Sequence, residues 1–169
     1  FGILATLGEM LGCRISTGNY TTPTFGVLPR MVVWGVLGVV ISMAMSVFAS
    51  GIPSFITNMG GANLVTEFGA EGLSWGKFVV ALSISVMMNT FFAPVCMTFH
   101  KITDTHIAEN GGSIKALFKP IDMRRQMMQL NWERQWSFIF KKTIPLFWYP
   151  AHTITFMLPG EYRVLFAAL

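Results

Sequence analysis

Charge is scarce in this chain. Lys, Arg, Asp and Glu make up 12% of its 169 residues, against about 25% in an ordinary water-soluble domain. That leaves too few groups for a charged shell and speaks against a soluble globular enzyme. With 53% of residues hydrophobic, a disordered tail is excluded as well. Cysteine is nearly absent. Cys13 and Cys96 form no C-x-x-C pattern, and both read as small buried thiols. A Gly-rich phosphate loop, a Walker pattern and a nucleophile motif are all missing. No catalytic residue, no metal and no cofactor is therefore expected, and the chain does not read as an enzyme. Internal repeats and low-complexity tracts are missing too.

What remains is long apolar runs. The segments 31–50 and 78–99 carry no charge at all. The segment 1–13 is apolar apart from Glu9, and 143–160 is apolar with three prolines, Pro145, Pro150 and Pro159. A bilayer core of about 30 Å needs about 20 apolar helical residues. Core helices of a soluble protein would be shorter and would show a polar face. The expectation is an all-α integral membrane bundle of four transmembrane helices in a single transmembrane domain over 1–169. The spans fall near 1–13 (partial), 31–50, 78–99 and 143–160, the last continuing toward Leu169. A start at Phe1 and an end inside an apolar run read as a piece of a longer chain.

Charge placement then sets orientation. The connection 101–142 holds Lys101, Lys115, Lys119, Arg124, Arg125, Arg134, Lys141 and Lys142, whereas Gly51 to Trp75 holds only Glu67 and Glu71. The basic loop is expected inside and the acidic one outside. Within the basic loop, Met123, Met127 and Leu130 recur at helical spacing beside Trp132 and Trp136. This predicts an interfacial amphipathic helix over about 121–140, lying on anionic lipids. Its mixture of basic and aromatic residues is better explained by a lipid bilayer than by nucleic acid. A soluble capping helix is the other reading.

Inside the runs, Gly38, Ser42, Ser46 and Ser50 form one ridge spaced by four residues. Ala81, Ser85, Asn89 and Ala93 form another, and Gly8 and Gly12 a shorter pair. Small residues let helices approach closely, and hydroxyls bond across them. Gly8, Gly12, Gly38 and Ala81 are accordingly expected to pack helices. Glu9, Asn89, Ser42, Ser46 and Ser85 are candidates for a polar path. A carboxylate at membrane depth is costly unless paired or wet, so Glu9 either lines that path or pairs with Arg14 or another basic group. His100, Asp104 and His106 cluster after 78–99. Only the first two share a helical face, and they read as interfacial polar residues rather than metal ligands. A weakly selective pore or passive channel for ions or small solutes follows. The alternative is a non-conducting accessory or structural subunit, whose ridges meet a second copy or a membrane-complex partner.

Near the end stand Trp148-Tyr149-Pro150, Thr155-Phe156, Pro159 and Tyr162-Arg163. With Asn89 to Pro94 and Leu7-Gly8-Glu9, these residues resemble the signature of the Mpv-seventeen family, which includes the twenty-two-kilodalton peroxisomal membrane protein. Tyr149 is inserted in the Trp-Pro element, Thr155 replaces an Asn, and Met88-Asn89 stands where the family has Asp-Gln, which marks a divergent member. The resemblance implies a small four-helix membrane channel. Its site would be a bacterial inner (plasma) membrane, or the mitochondrial inner or peroxisomal membrane in a eukaryote.

Overall fold

Glycines and prolines punctuate the helices of the computed structural model, which describes residues 1–167, the side chain of Val164 excepted. Helix α1 spans Gly2–Thr17 and closes at Gly18, where φ of 80° brings its N–H to the Arg14 carbonyl. Helix α2 spans Val27–Asn58, α3 Ala62–Gly69, α4 Trp75–Phe91 and α5 Ala93–Glu109. The Ser74 side chain accepts from the Lys77 N–H and so starts α4. A 3₁₀ turn, Ile114–Phe118, leads to α6, Met123–Gln129, capped by Asp122. The short α7, Trp132–Arg134, runs into a π-helical stretch, Gln135–Trp148, then α8, Tyr149–Met157, and α9, Gly160–Phe166. The Tyr149 N–H reaches back five residues to the Ile144 carbonyl, the wider turn that defines a π-helix. All regular structure among the described residues is helical.

Two compact units divide the chain. The first comprises Phe1–Val40 and Cys96–Trp132. Phe25, Cys96, Ile102, Ile107, Ala116 and Leu130 are its buried apolar residues. One of its close contacts lies between two turns. Gly26, at φ 68°, packs so closely that an added Cβ would lie 2.6 Å from Ile107 Cγ2 and 2.8 Å from the Gly112 carbonyl oxygen. Only glycine supplies both that φ and that space. This approach fixes the start of α2 against α5.

The second unit comprises Ile41–Val95 and Glu133–Ala167. Val80, Ala81, Ile84, Ser85, Met88 and Asn89 recur at helical spacing on α4 and are all buried. Met45 and Phe156 complete the apolar cluster around them. The Glu67 side chain of α3 accepts from the Gly76 N–H at 2.8 Å and seats α3 on the first turn of α4.

This architecture corrects the expected bundle of four packed transmembrane helices. Among the described residues only α2 is long and apolar enough to cross a membrane, or two such elements exist if α4 and α5 count as one broken span. Helix α1 has 16 residues. The run 78–99 is interrupted at Phe92, where α4 and α5 bend by 45° two residues before Pro94, which has no N–H for the Thr90 carbonyl. The run 143–160 is divided among the π-helical stretch, α8, an extended Leu158 and α9. Its expected continuation at Ala168 and Leu169 lies outside the described residues.

The expected amphipathic helix over 121–140 is corrected too. Leu130 is extended, with ψ of 136°, and ends α6. Leu130 is buried while Met127 is exposed, so the two do not share one apolar face. Arg125 is held by Glu109 at 2.7 Å, and Lys119 donates to the Asn110 side chain at 2.8 Å. The predicted partnership with a lipid bilayer and anionic lipids through this loop therefore has no amphipathic helix to carry it.

Candidate functional site

Cys96, His100 and Asp104 repeat every fourth residue on α5 and are buried in the first unit. Glu9 of α1 and Arg30 of α2 converge on the same place. Arg30 Nη1 contacts the Glu9 carboxylate and lies 2.6 Å from Asp104 Oδ1. His100 Nε2 lies 2.6 Å from Glu9 Oε1 and 3.5 Å from Asp104 Oδ1. The four side chains are 11–17% exposed. Ligand atoms of Glu9, His100 and Asp104 all fall within 4.8 Å of one another.

Neighbouring side chains fix the members in place. Arg30 Nε donates to the Phe25 carbonyl at 2.7 Å, and its guanidinium sits 4.4 Å from the centre of the Phe25 ring. Trp34, one turn further along α2, stacks on the His100 ring with centroids 4.2 Å apart. Although His100 Nε2 is close to Glu9, its direction misses hydrogen-bond geometry, and this buried nitrogen has no hydrogen-bond partner.

Burial raises both carboxyls, and the outcome differs between them. At Glu9, His100 and Arg30 more than offset burial and hold the carboxyl below its ordinary value. At Asp104 burial wins, helped by the charge of Glu9, and the carboxyl is pushed up.

The second unit holds a different polar cluster. The Asn89 Nδ2 group donates to the Ser85 carbonyl at 2.8 Å. Its Oδ1 is thereby left to accept from His152 Nδ1–H at 3.0 Å, which fixes the neutral His152 tautomer. The Ser85 hydroxyl donates to the Tyr149 carbonyl at 2.8 Å, and the Tyr149 and Thr90 hydroxyls share a 2.7 Å bond. Burial pushes the His152 imidazole down to about 4.

The remaining residues singled out in the sequence are scattered. Glu9 meets Arg30 and not Arg14, whose guanidinium lies over Tyr20. Around Gly8 and Gly12 an added Cβ would find open space, whereas at Gly38 it would meet the Phe1 ring at 2.8 Å. Ala81 and Ser85 are fully buried, Ser42 half-buried and Ser46 exposed. Trp148 stacks on His152 with centroids 5.1 Å apart. Pro150, Pro159 and Tyr162 are exposed, and Arg163 donates to backbone carbonyls. His106 stands apart from His100 and Asp104 and donates from Nε2 to the Ala116 carbonyl at 3.0 Å. No motif or spacing in the sequence singles out Arg30 or His152. The one available signal was the i, i+4 spacing of His100 and Asp104, which marks a shared face but not what the face meets.

No family model, no curated protein and no solved structure matches this chain. The resemblance to the Mpv-seventeen family is thus corrected, and the location in a bacterial inner, mitochondrial inner or peroxisomal membrane falls with it. The pore reading is corrected on physical grounds as well. Glu9, a candidate for lining the polar path, is already matched by Arg30. Asn89 is consumed by His152 and Ser85. Without a bundle of spanning helices, the alternative of a membrane-embedded accessory subunit loses its basis too.

Proposed function

We propose that this chain is a helical metal-binding protein, whose Glu9, His100 and Asp104 take a divalent transition-metal ion in exchange for the Arg30 guanidinium. The observation that carries this reading is the buried His100 Nε2, without a hydrogen bond and facing two carboxylates, with the three ligand atoms within 4.8 Å. Tetrahedral zinc, with bonds of about 2.0–2.2 Å, sets its ligand atoms about 3.3 Å apart. The separations from His100 Nε2, 2.6 and 3.5 Å, bracket that spacing. A set of one imidazole and two carboxylates favours zinc, iron or manganese over calcium, which prefers six to eight oxygens. Three protein ligands leave a fourth position open. The reading is one of binding, not of catalysis.

A specific observation favours a second reading. Arg30 Nη1 lies on both carboxylates, so the guanidinium can be the permanent cation of a structural ion-pair network. Calorimetric titration of chelator-treated protein with Zn²⁺ separates the two. The metal reading expects one equivalent bound, at least tenfold tighter binding in Arg30→Met, where the competing cation is gone, and loss of binding in His100→Ala. Absence of saturable binding in both wild type and Arg30→Met rejects it and leaves the network.

A further inference from the structure

The second unit contains a cleft of about 190 Å³, lined by Ser42, Met45, Ser46, Ala49, Phe156 and Arg163. We propose that it binds a small monocarboxylate with a short apolar tail, held at the carboxylate by Arg163. This site is independent of the metal reading, since all its residues belong to the other unit.

Arg163 carries the argument. Its Nε donates to the Leu158 carbonyl at 3.0 Å and its Nη2 to the Phe156 carbonyl at 3.1 Å. A guanidinium has five N–H donors, so these two bonds aim the group and leave donors free. Carbonyls do not neutralise it, and among the described residues no carboxylate pairs with it. The rings of Phe68 and Phe156 lie 5.8 Å from its centre and add a cation–π contact without a counter-charge. Arg30 provides the contrast within the same chain, for it meets two carboxylates. A half-buried cation of this kind is completed by an anion, which a guanidinium binds in a two-pronged fashion.

The rest of the lining selects among anions. On the facing turns of α2, Ser46 Oγ donates to the Ser42 carbonyl at 3.0 Å, and the Ser42 hydroxyl donates to nothing among the described residues. Met45 and Phe156 are buried and give the cleft an apolar wall. One positive charge matches one negative charge, which disfavours a phosphate dianion. Drug-sized ligands need about 300 Å³ or more, so this cleft suits a molecule of roughly six to eight heavy atoms. Short-chain fatty acids of four to six carbons have that size, that charge and that apolar tail.

Titration of the full chain at constant ionic strength with sodium butyrate, butyramide and inorganic phosphate tests the assignment. Saturable one-to-one binding of butyrate is expected, with butyramide and phosphate at least tenfold weaker. Arg163→Gln is expected to weaken butyrate at least tenfold. Because that change also removes the bonds to Leu158 and Phe156, Ser42→Leu is the second variant. It fills the cleft from the half-buried face of α2, and should abolish butyrate binding with an unchanged melting temperature. Lack of saturation by butyrate in the wild type overturns the proposal. So does butyramide or phosphate binding as tightly as butyrate, or undiminished binding in Ser42→Leu.

Discussion

Replacing Arg30 by Met keeps the apolar stem and deletes the charge that two acidic side chains face. The Asp104 contact at 2.6 Å, the Glu9 contact, the 2.7 Å bond to the Phe25 carbonyl and the stacking on Phe25 all disappear. Removing one partner of a buried ion pair costs about 3–5 kcal/mol, because the other charge is left uncompensated. The bond to Phe25, made by a charged donor, adds about 1.5 kcal/mol at the low end of its range. These losses overlap, since neighbouring contacts are not additive. A net destabilisation of about 4 kcal/mol at pH 7 is expected. For a chain of this size that lowers Tm by about 8–16 °C. Circular-dichroism melts in the presence of chelator measure it. Adding Glu9→Gln and Asp104→Asn to Arg30→Met should recover most of the loss, since no charge is then stranded. The metal reading expects Zn²⁺ to rescue Arg30→Met alone, by about 2.7 kcal/mol at a hundredfold excess over Kd. A loss below about 1 kcal/mol for Arg30→Met would mean instead that water screens the cluster and that its charges are not buried in effect.

Other perturbations bear on neighbouring parts of the fold. His152 is buried neutral with its imidazole pushed down to about 4, so below pH 6.5 the unfolded chain takes up a proton that the folded chain refuses. Stability contributed by this group falls by about 3 kcal/mol between pH 6.5 and 4; urea titrations should show His152→Gln losing that much less over the same interval, and parallel curves would contradict it. Burial holds the Cys96 thiol up at about 11, while Cys13 is half-exposed. A disulfide reagent at pH 8 should modify one thiol fast and the second only on unfolding, and two equal rates would count against the buried position. Gly26→Ala meets both a positive φ and three contacts under 3 Å, whereas Gly60→Ala meets φ of 92° in open space. The first should cost about 2–4 kcal/mol and the second about 1, so equal losses in denaturant would show that the close approach to Gly112 is unimportant.

Much of the helical content was legible because apolar runs without charge leave little else possible. The limits of the helices were not. Hydropathy counts residues and is blind to continuity, so 78–99 read as one element although Pro94 has no N–H with which to continue the backbone ladder. In the opposite sense, α2 continues past Ser50 and through Pro53 to Asn58. There Ile52 and Ile56 pack against the apolar cluster of the second unit, and that burial outweighs one missing backbone bond. For the site, the cost of an apolar-flanked carboxylate drew attention to Glu9, though as part of a polar path, and helical spacing placed His100 and Asp104 on one face. Their meeting with Arg30 was invisible, because it depends on the Gly26–Gly112 approach that sets α2 against α5. Asn89 and His152 are 63 residues apart, and no local pattern announces such a pair.

A chain with few charges shows by their placement where it tolerates them. Glu9 and Asp104 are two of its eight acidic residues, and both are spent on one cluster in the first unit. Arg30 sets one positive charge against the two carboxyl groups of that cluster. The arginine thus offsets most of the cost of burying two carboxylates, whether or not a metal ever replaces it. The polar cluster of the second unit reaches the same end without charge, because Asn89 and Ser85 bond a neutral imidazole and a backbone carbonyl. Arg163 follows neither solution. It is buried enough for its guanidinium to be pushed down from its ordinary value, and its protein partners are carbonyls and rings. Where Arg30 meets two carboxylates, Arg163 faces a cleft with only carbonyls and rings beside it, and an anion is the partner that the proposed monocarboxylate would supply.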